Sequence, residues 1–484
     1  MAVFARWGSA FFTLLLPLLH GCGTNTIEAP SSAAKPDIIL ISIDSLRPDH
    51  IGCYGYKRDT TPYIDQLAAE GVRFNNAMST TSWTLPAHAA LFTGLYDSAH
   101  GLVDKALKLA DAHVTLAEVF RDAGYQTSGF YGGPFLHPTF GLHQGFMSYY
   151  SCMTTTADDA DINAIRGSSH VASHHDITGP RTLERFGNWL ATADDRPMFV
   201  FLHMWDVHYD YIPPKHYVDR FDPDYQGSVR AENFMWNQSI TRDMPARDLE
   251  HVIALYDGEI RFTDDILKQI LDKLDEAGRF ERALIVVTAD HGEEFFEHGG
   301  KGHMRTLFDE LVRVPLIVRW PGQLSAGQVI SDQVCLIDVM PTLLSLAGVS
   351  PPRQIQGRDL SPLLHGTNLP PVPALLELYF GKREAQALRT NEYKAYVHNR
   401  VPGFYDLSLD PGELHNRAVV AGQFNPKFQE AMTRIRSLIG QNQVVNEQGG
   451  LKAVRPSGLS EQMIQQLKSL GYIGDDDEEV PIQE

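Results

Sequence analysis

The stretch TSWTLPAHAALFTG, residues 81–94, follows a strand-like run and opens a short apolar helix. Pro86 suits a first helical turn, where its missing N–H would have no partner, and Gly94 is typical just past a helix end. Thr84, just before this helix, is expected to point its hydroxyl at the unpaired N–H groups of the helix start. A threonine there is often only a cap, but the position also binds oxyanions and favours a deprotonated hydroxyl.

Two apolar, β-branched runs elsewhere in the chain end in an acid. Residues 38–43 precede Asp44, and residues 283–289 precede Asp290 and His291. Such runs are typical of strands buried on both faces of a parallel sheet. One acid at a strand end is often only a helix cap. Because ligands collect at the carboxyl ends of strands in α/β sheets, two such ends with Thr84 between them indicate a site for one metal ion.

The order of predicted elements defines the fold class. Strands and helices alternate up to about residue 320, which predicts an α/β fold with a doubly wound, mainly parallel sheet. Further on, short strands and one helix predict a small C-terminal antiparallel sheet covered by a helix. The expected segments are a catalytic domain at 37–370, an antiparallel subdomain at 371–440 and a tail with an acidic end at 441–484.

Residues 84–94 resemble the sulfatase signature, in which Cys or Ser is followed by x-Pro-x-Arg and then by Thr-Gly. Thr84 stands at the Cys or Ser position and His88 at the Arg position. Related branches of the alkaline-phosphatase-like superfamily, such as nucleotide phosphodiesterases and phosphoethanolamine transferases, use a threonine nucleophile. The chain is therefore similar to the sulfatase family, as a variant with threonine in place of the formylglycine precursor.

Other segments extend this resemblance and imply further site residues. The segment from Asp44 resembles the first sulfatase metal segment, and there the resemblance implies substrate binding by Arg47. His208 matches the histidine of a family Asp-Pro-His motif, and together with His88 it is expected to be catalytic. Counting from Asp290 places His303 on a family lysine, with Lys301 two residues away. We expect His303 to be catalytic and Lys301 to bind substrate, with the register between them open.

The resemblance also implies a divalent metal ion. Sulfatases hold calcium or magnesium with several carboxylates and an amide, which are oxygen ligands. In this chain Ser45 replaces one carboxylate and His291 brings a nitrogen. Fewer anionic oxygens and one imidazole favour Mn²⁺ or Zn²⁺, with Ca²⁺ as the alternative. The predicted metal ligands are Asp44, Thr84, Asp290 and His291.

The threonine restricts the chemistry. Sulfatases oxidise their Cys or Ser to an aldehyde, whereas the methyl group of Thr84 would give a ketone at best. If the Thr84 hydroxyl takes up the sulfate or phosphate group as a covalent ester, that ester must instead be broken by attack at its sulfur or phosphorus atom. The predicted function is metal-dependent hydrolysis of a sulfate or phosphate ester through a covalent Thr84 intermediate. The alternatives are a phosphodiesterase or phospho-group transferase, and a non-catalytic, lipid-tethered binding protein.

Residues 1–22 predict an export signal. The apolar run at 11–19 is too short to span a bilayer, and residues 19–22 (LHGC) resemble a lipoprotein cleavage box with lipid on Cys22. Residues 23–36 suit a flexible linker. We expect an exported protein, anchored by lipid to the membrane at the periplasmic face of the cell envelope. Cleavage by an ordinary signal peptidase, followed by secretion, is the alternative.

Charge and cysteine content exclude other classes. The chain has 41 basic and 60 acidic residues, a net charge of −19, so nucleic acid is not an expected partner. Its 4 cysteines include no Cys-x-x-Cys pair, which argues against a structural zinc site. With lipid on Cys22, at most one disulfide could form.

Overall fold

The computed structural model describes residues 35–153, 177–449 and 451–453. The described residues from Pro36 onward form one compact unit. The predicted export signal with Cys22, nearly all of the linker and the acidic end of the tail lie outside the described residues. The predicted division near residue 370 stays a prediction.

The strands and helices have the following bounds. The strands are β1 (Asp37–Ile43), β2 (Val72–Met78), β3 (Gln126–Tyr131), β4 (Ser148–Ser151), β5 (Met198–Met204), β6 (Ala283–Thr288), β7 (Glu294–Phe295), β8 (Lys301–Gly302), β9 (Arg313–Arg319), β10 (Gln328–Cys335), β11 (Ala374–Phe380), β12 (Arg383–Arg389), β13 (Tyr393–His398), β14 (Val401–Asp406), β15 (Val419–Val420) and β16 (Gln423–Phe424). The helices are α1 (Pro62–Glu70), α2 (Thr84–Thr93), α3 (Asp97–His100), α4 (Leu116–Asp122), α5 (Gly179–Leu190), α6 (Lys215–Phe221), α7 (Ala246–Glu276), α8 (Asp309–Val312), α9 (Val339–Leu346), α10 (Ser361–Leu364) and α11 (Pro426–Gly449).

An eight-stranded sheet in the order β10-β2-β9-β6-β1-β5-β3-β4 forms the centre. Neighbouring strands run parallel except where β9 pairs with β2 and β6. Every residue of β1, β5 and β6 is buried, as the apolar runs predict. The doubly wound, mainly parallel sheet is therefore confirmed. Because β6, β1 and β5 are adjacent and parallel, their carboxyl ends meet at one edge.

Helix α2 begins one residue earlier than the sequence suggests. Thr84 is its first helical residue, and the N-cap is Trp83, which has an extended conformation (φ −160°, ψ 155°). The expectation that Thr84 precedes the helix is corrected, because the chain turns into the helix directly after the buried Trp83 ring. No side chain caps this helix, so the Thr84 hydroxyl is not used as a cap.

The C-terminal part contains an antiparallel sheet in the order β11-β12-β13-β14. Helix α11 covers it through a separate apolar core that includes Leu375, Leu388, Phe404, Phe428 and Ile435. The predicted antiparallel sheet with its covering helix is confirmed. Strand β12 pairs with β11 along its whole length, from Arg383 to Arg389.

Two further observations concern the cysteines and the apolar character of the helices. Cys53, Cys152 and Cys335 are free thiols. Among the helices in the described part of the chain, none combines the length and the apolar character needed to cross a bilayer.

Candidate active site

The two predicted acids meet at the edge where β1 and β6 end. The Asp44 backbone N–H donates to the carbonyl of Met204 (2.9 Å), which continues the pairing between β1 and β5. Ser45, with a positive φ of 56°, donates its hydroxyl to Asp44 Oδ1 (2.7 Å) and its backbone N–H to Asp290 Oδ1 (3.3 Å). Ser45 therefore holds the two carboxylates in place next to each other.

His291 and Thr84 lie against the same pair of acids. His291 Nδ1 lies 2.9 Å from the carbonyl of Gly292, which fixes a proton on Nδ1 and turns Nε2 inward. His291 Nε2 is 3.3 Å from Thr84 Oγ1, 3.4 Å from Asp290 Oδ2 and 3.8 Å from Asp44 Oδ1. Burial alone would lower the pKa of His291, but the two carboxylates raise it overall.

These residues fit a cation. Asp44 Oδ2 and Asp290 Oδ2 are buried and have no hydrogen-bond partner in the described part of the chain. Burial raises the pKa of Asp44 to about 6. Asp44, Asp290 and His291 offer ligand atoms that lie within 4.8 Å of one another. Buried carboxylate oxygens without partners are costly unless a cation compensates them. The structure thus brings the four predicted metal ligands together.

His88 lies beneath Thr84 on the next turn of α2. Its Nδ1 is 2.8 Å from the Thr84 carbonyl oxygen, and its Nε2 is 3.1 Å from the Ser42 hydroxyl. Burial lowers the pKa of His88 to about 3, so the ring is neutral. His88 thus contacts the backbone of Thr84 and not its hydroxyl. The neutral ring does not supply the charge of the family Arg, and the catalytic role predicted for His88 stays a prediction.

His303 and His208 flank the acid pair on another side. The centre of the His303 ring is 4.4 Å from that of His291 and 5.0 Å from that of His208. His208 stacks on Trp205 at 3.8 Å between ring centres. The structure therefore brings His303 into the site and His208 next to it.

A buried acid that the sequence prediction missed orients His303. His303 Nδ1 lies 3.2 Å from Glu293 Oε1, and the Tyr211 hydroxyl donates to Glu293 Oε2 (2.8 Å). Burial raises the pKa of Glu293 to about 8. Glu293 follows the Asp290-His291 motif by two residues, but no local pattern indicates that Tyr211 reaches it.

The two predicted substrate-binding cations are engaged elsewhere. The Arg47 guanidinium forms ion pairs with Asp49 (2.8 Å) and Glu297 (2.5 Å). The Lys301 ammonium donates to the backbone carbonyls of Asn237 (2.9 Å) and Ile240 (2.8 Å). The structure brings neither cation to the cluster around Thr84, because these protein groups hold both. Their role at the substrate stays a prediction.

His203 is a second residue that the sequence prediction missed. It lies on β5 directly beside Ser42 of β1, and its Nε2 is 3.4 Å from Asp44 Oδ2. The available signal was a single imidazole near the end of an otherwise apolar strand. Only the pairing of β5 with β1, which no local pattern reveals, brings that imidazole to the acid pair.

Comparison with known proteins shows which family the chain is similar to. The family model described as Sulfatase matches residues 36–349, and one described as N-sulphoglucosamine sulphohydrolase, C-terminal, matches residues 297–441. An ulvan-active sulfatase of Formosa agariphila is 25% identical over 413 residues, covering 81% of this chain and 78% of that protein. Arylsulfatase A of Homo sapiens is 27% identical over 486 residues, covering 84% and 88%.

Solved structures share the fold. The phosphonate monoester hydrolase of Agrobacterium radiobacter has a TM-score of 0.66 at 22% identity, covering 86% of this chain and 96% of that one. The match to the sulfatase family model extends over more than half of the chain, from β1 through α9. The protein therefore belongs to the sulfatase family and is an enzyme of the sulfuric ester hydrolase type.

Proposed function

We propose that the protein cleaves a sulfate or phosphate ester with Thr84 as the covalent nucleophile. The observation that carries this proposal is the 3.3 Å approach of Thr84 Oγ1 to His291 Nε2, beside two buried carboxylates. Thr84 is the first residue of α2, so the N–H groups of the helix start favour negative charge near its hydroxyl. The proposed ligands of one divalent metal ion are Asp44, Thr84, Asp290 and His291.

The first proposed step is attack by Thr84 at the sulfur or phosphorus atom. The hydroxyl releases its proton to solvent water, the new O–S or O–P bond forms, and the bond to the leaving oxygen breaks on the opposite side. A bound metal ion would supply the positive charge that lowers the pKa of this hydroxyl and compensates the substrate oxygens. The Thr84 carbonyl is held by His88, which fixes the start of the helix.

His303 is the proposed proton donor to the leaving oxygen. Its Nδ1 faces Glu293, so Nε2 lies on the opposite side of the ring. That geometry lets the ring pass a proton outward while Glu293 holds its orientation. A water molecule would then hydrolyse the Thr84 ester, with the proton returning to His303.

The nucleophile favours a phosphorus ester over a sulfate ester. A sulfated aldehyde hydrate can release sulfate by elimination, in which the bond between carbon and the sulfate oxygen breaks. A threonine ester must instead be hydrolysed by attack at its sulfur or phosphorus atom. Phosphate and phosphonate esters of an enzyme hydroxyl are broken in this way. Membership of the sulfatase family supports sulfate esters, so both ester classes are proposed substrates.

The proposal is tested with purified protein loaded separately with Mn²⁺, Zn²⁺ or Ca²⁺. Aryl sulfates, aryl phosphodiesters and aryl phosphonate monoesters serve as substrates, with the Thr84→Ala variant as the matched control. We expect turnover of at least one class that depends on both the metal and Thr84. Equal turnover by the Thr84→Ala variant would refute the nucleophile.

We also propose that the protein is exported and anchored to the membrane by lipid on Cys22. Support comes from the apolar run at 11–19 and the LHGC segment that follows it. Mass spectrometry of the mature protein tests this: the expected N-terminus is an acylated Cys22. A mature N-terminus elsewhere and without an acyl group would contradict it.

A further inference from the structure

His203 presents one ring nitrogen to the acid pair. Its Nδ1 lies 2.8 Å from the Gly132 carbonyl oxygen, which can only accept, so Nδ1 carries a proton. In the neutral ring Nε2 is then a lone-pair donor. This atom is buried, and among the described residues it has no hydrogen-bond partner.

The group facing His203 Nε2 is an acceptor as well. Asp44 Oδ2 is 3.4 Å away and also has no hydrogen-bond partner in the described part of the chain. The other oxygen of this carboxylate, Oδ1, accepts from Ser45 and faces His291. Asp44 therefore turns one oxygen to Ser45 and His291, and the other to His203. Two electron-pair donors at this distance in a buried site repel each other unless a cation lies between them.

The neighbouring histidine is already satisfied. Both ring nitrogens of His88 have partners, the Thr84 carbonyl and the Ser42 hydroxyl. His203, His88 and Asp290 offer ligand atoms within 4.8 Å of one another. Of these two histidines, only His203 has a ring nitrogen without a hydrogen bond in the described part of the chain. His203 is consequently the nitrogen donor that this side of the acid pair provides.

We infer that His203 Nε2 is a ligand of the metal centre, in addition to the four ligands proposed above. This inference rests on the metal site of the proposed function. It gives a centre with two carboxylates, two imidazoles and one hydroxyl. Two imidazoles favour a transition metal such as Zn²⁺, Co²⁺ or Mn²⁺ over Ca²⁺, which prefers oxygen ligands.

Cobalt and zinc binding to the full-length protein test the inference without any substrate. X-ray absorption of the Co²⁺-loaded wild type should fit two imidazole ligands, and His203→Gln should reduce the fit to one. We expect His203→Gln to weaken Zn²⁺ binding, measured by calorimetry, by more than about 100-fold. Loss of a residue that only supports a ligand typically costs about 10- to 100-fold.

The matched control is His113→Gln. His113 is also a buried histidine, and its Nε2 lies near the carbonyls of His100 and Leu451, away from the acid pair. This variant should bind Zn²⁺ like the wild type, which separates ligand loss from loss of any buried imidazole. The number of imidazole ligands measured by X-ray absorption in the wild type still tests the inference if His203→Gln does not fold.

The outcomes separate the two proposals. If the wild type binds metal through one imidazole and His203→Gln binds equally tightly, His203 is an ion-pair partner of Asp44 and only this inference fails. If the wild type binds neither Co²⁺ nor Zn²⁺, the inference and the proposed metal site are both overturned. Turnover that depends on Thr84 would still support the nucleophile.

Discussion

Thr84 Oγ1 lies 3.3 Å from His291 Nε2, although 207 positions separate the two residues in the chain. Thr84 begins α2, and His291 follows the end of β6 in the sheet. The contact places a hydroxyl at a helix start beside an imidazole and two buried carboxylates. These surroundings favour loss of the Thr84 hydroxyl proton, which the proposed nucleophile requires.

Removing the Thr84 hydroxyl should abolish turnover and leave the fold intact. Thr84→Ala is expected to lower kcat on the order of 10³- to 10⁶-fold, the range for loss of a nucleophile. Because this hydroxyl does not cap α2, the free energy of unfolding should change by less than about 1 kcal/mol. Steady-state kinetics and denaturant unfolding measure both. Thr84→Ser, which keeps a hydroxyl, should retain measurable activity, and an inactive Thr84→Ser with normal metal binding would argue against attack by this hydroxyl.

Metal binding should weaken as the pH falls below about 6. Burial raises the pKa of Asp44 to about 6 in the metal-free protein, and a protonated carboxyl cannot act as a ligand. The apparent Kd should rise by at least about tenfold per pH unit below that value, because the Asp44 proton competes with the metal and His291, whose pKa is raised, must also lose a proton to bind it. Calorimetric titration across this range measures it. A Kd that is constant down to about pH 4 would contradict the role of Asp44.

The rate losses caused by replacing His303 and by replacing Lys301 should depend differently on the leaving group of the substrate. His303→Ala is expected to slow substrates with poor alkyl leaving groups far more than those with good aryl ones, because it removes the proton donor. Lys301 binds the carbonyls of Asn237 and Ile240, so Lys301→Ala should change all substrates alike and by little. Rates for a graded series of esters measure this. The reverse pattern would assign the family lysine role to Lys301.

Glu293 should make the protein less stable as the pH rises. Burial raises the pKa of Glu293 to about 8 from an ordinary value of 4.5. Between these two pH values the folded state holds a proton that the unfolded state has lost, so the free energy of unfolding falls as the pH rises. The fall is at most about 1.4 kcal/mol for each unit by which the folded pKa exceeds the unfolded one. In Glu293→Gln this fall should disappear. Denaturant unfolding at several pH values measures it, and parallel curves for both proteins would rule the effect out.

The sequence revealed the elements whose evidence is local. Residues 38–43 and 283–289 are apolar runs followed by an acid, so both strands and Asp44 and Asp290 could be predicted from composition and periodicity. The start of α2 could be placed to within one residue, since Pro86 and Gly94 mark its ends. In each case the signal lies within a few residues of the feature.

Features that depend on distant partners could not be read in this way. His203 reaches Asp44 only because β5 pairs with β1, and the sequence does not state which strands are neighbours. Arg47 was predicted to bind substrate, but an ion pair with Glu297, 250 positions away, holds its guanidinium. Strand β10 was missed because it lies at the edge of the sheet and carries polar residues between its apolar ones.

Trapping the covalent intermediate distinguishes attack by the Thr84 hydroxyl from direct attack by water. The metal-loaded protein is mixed with an activated aryl ester, quenched with acid within the first turnover and digested for peptide mass spectrometry. The account predicts one phosphoryl, phosphonyl or sulfuryl group on Thr84, and none in Thr84→Ala. Rapid product release with no adduct on Thr84 at any quench time, or an adduct on another residue, would contradict it.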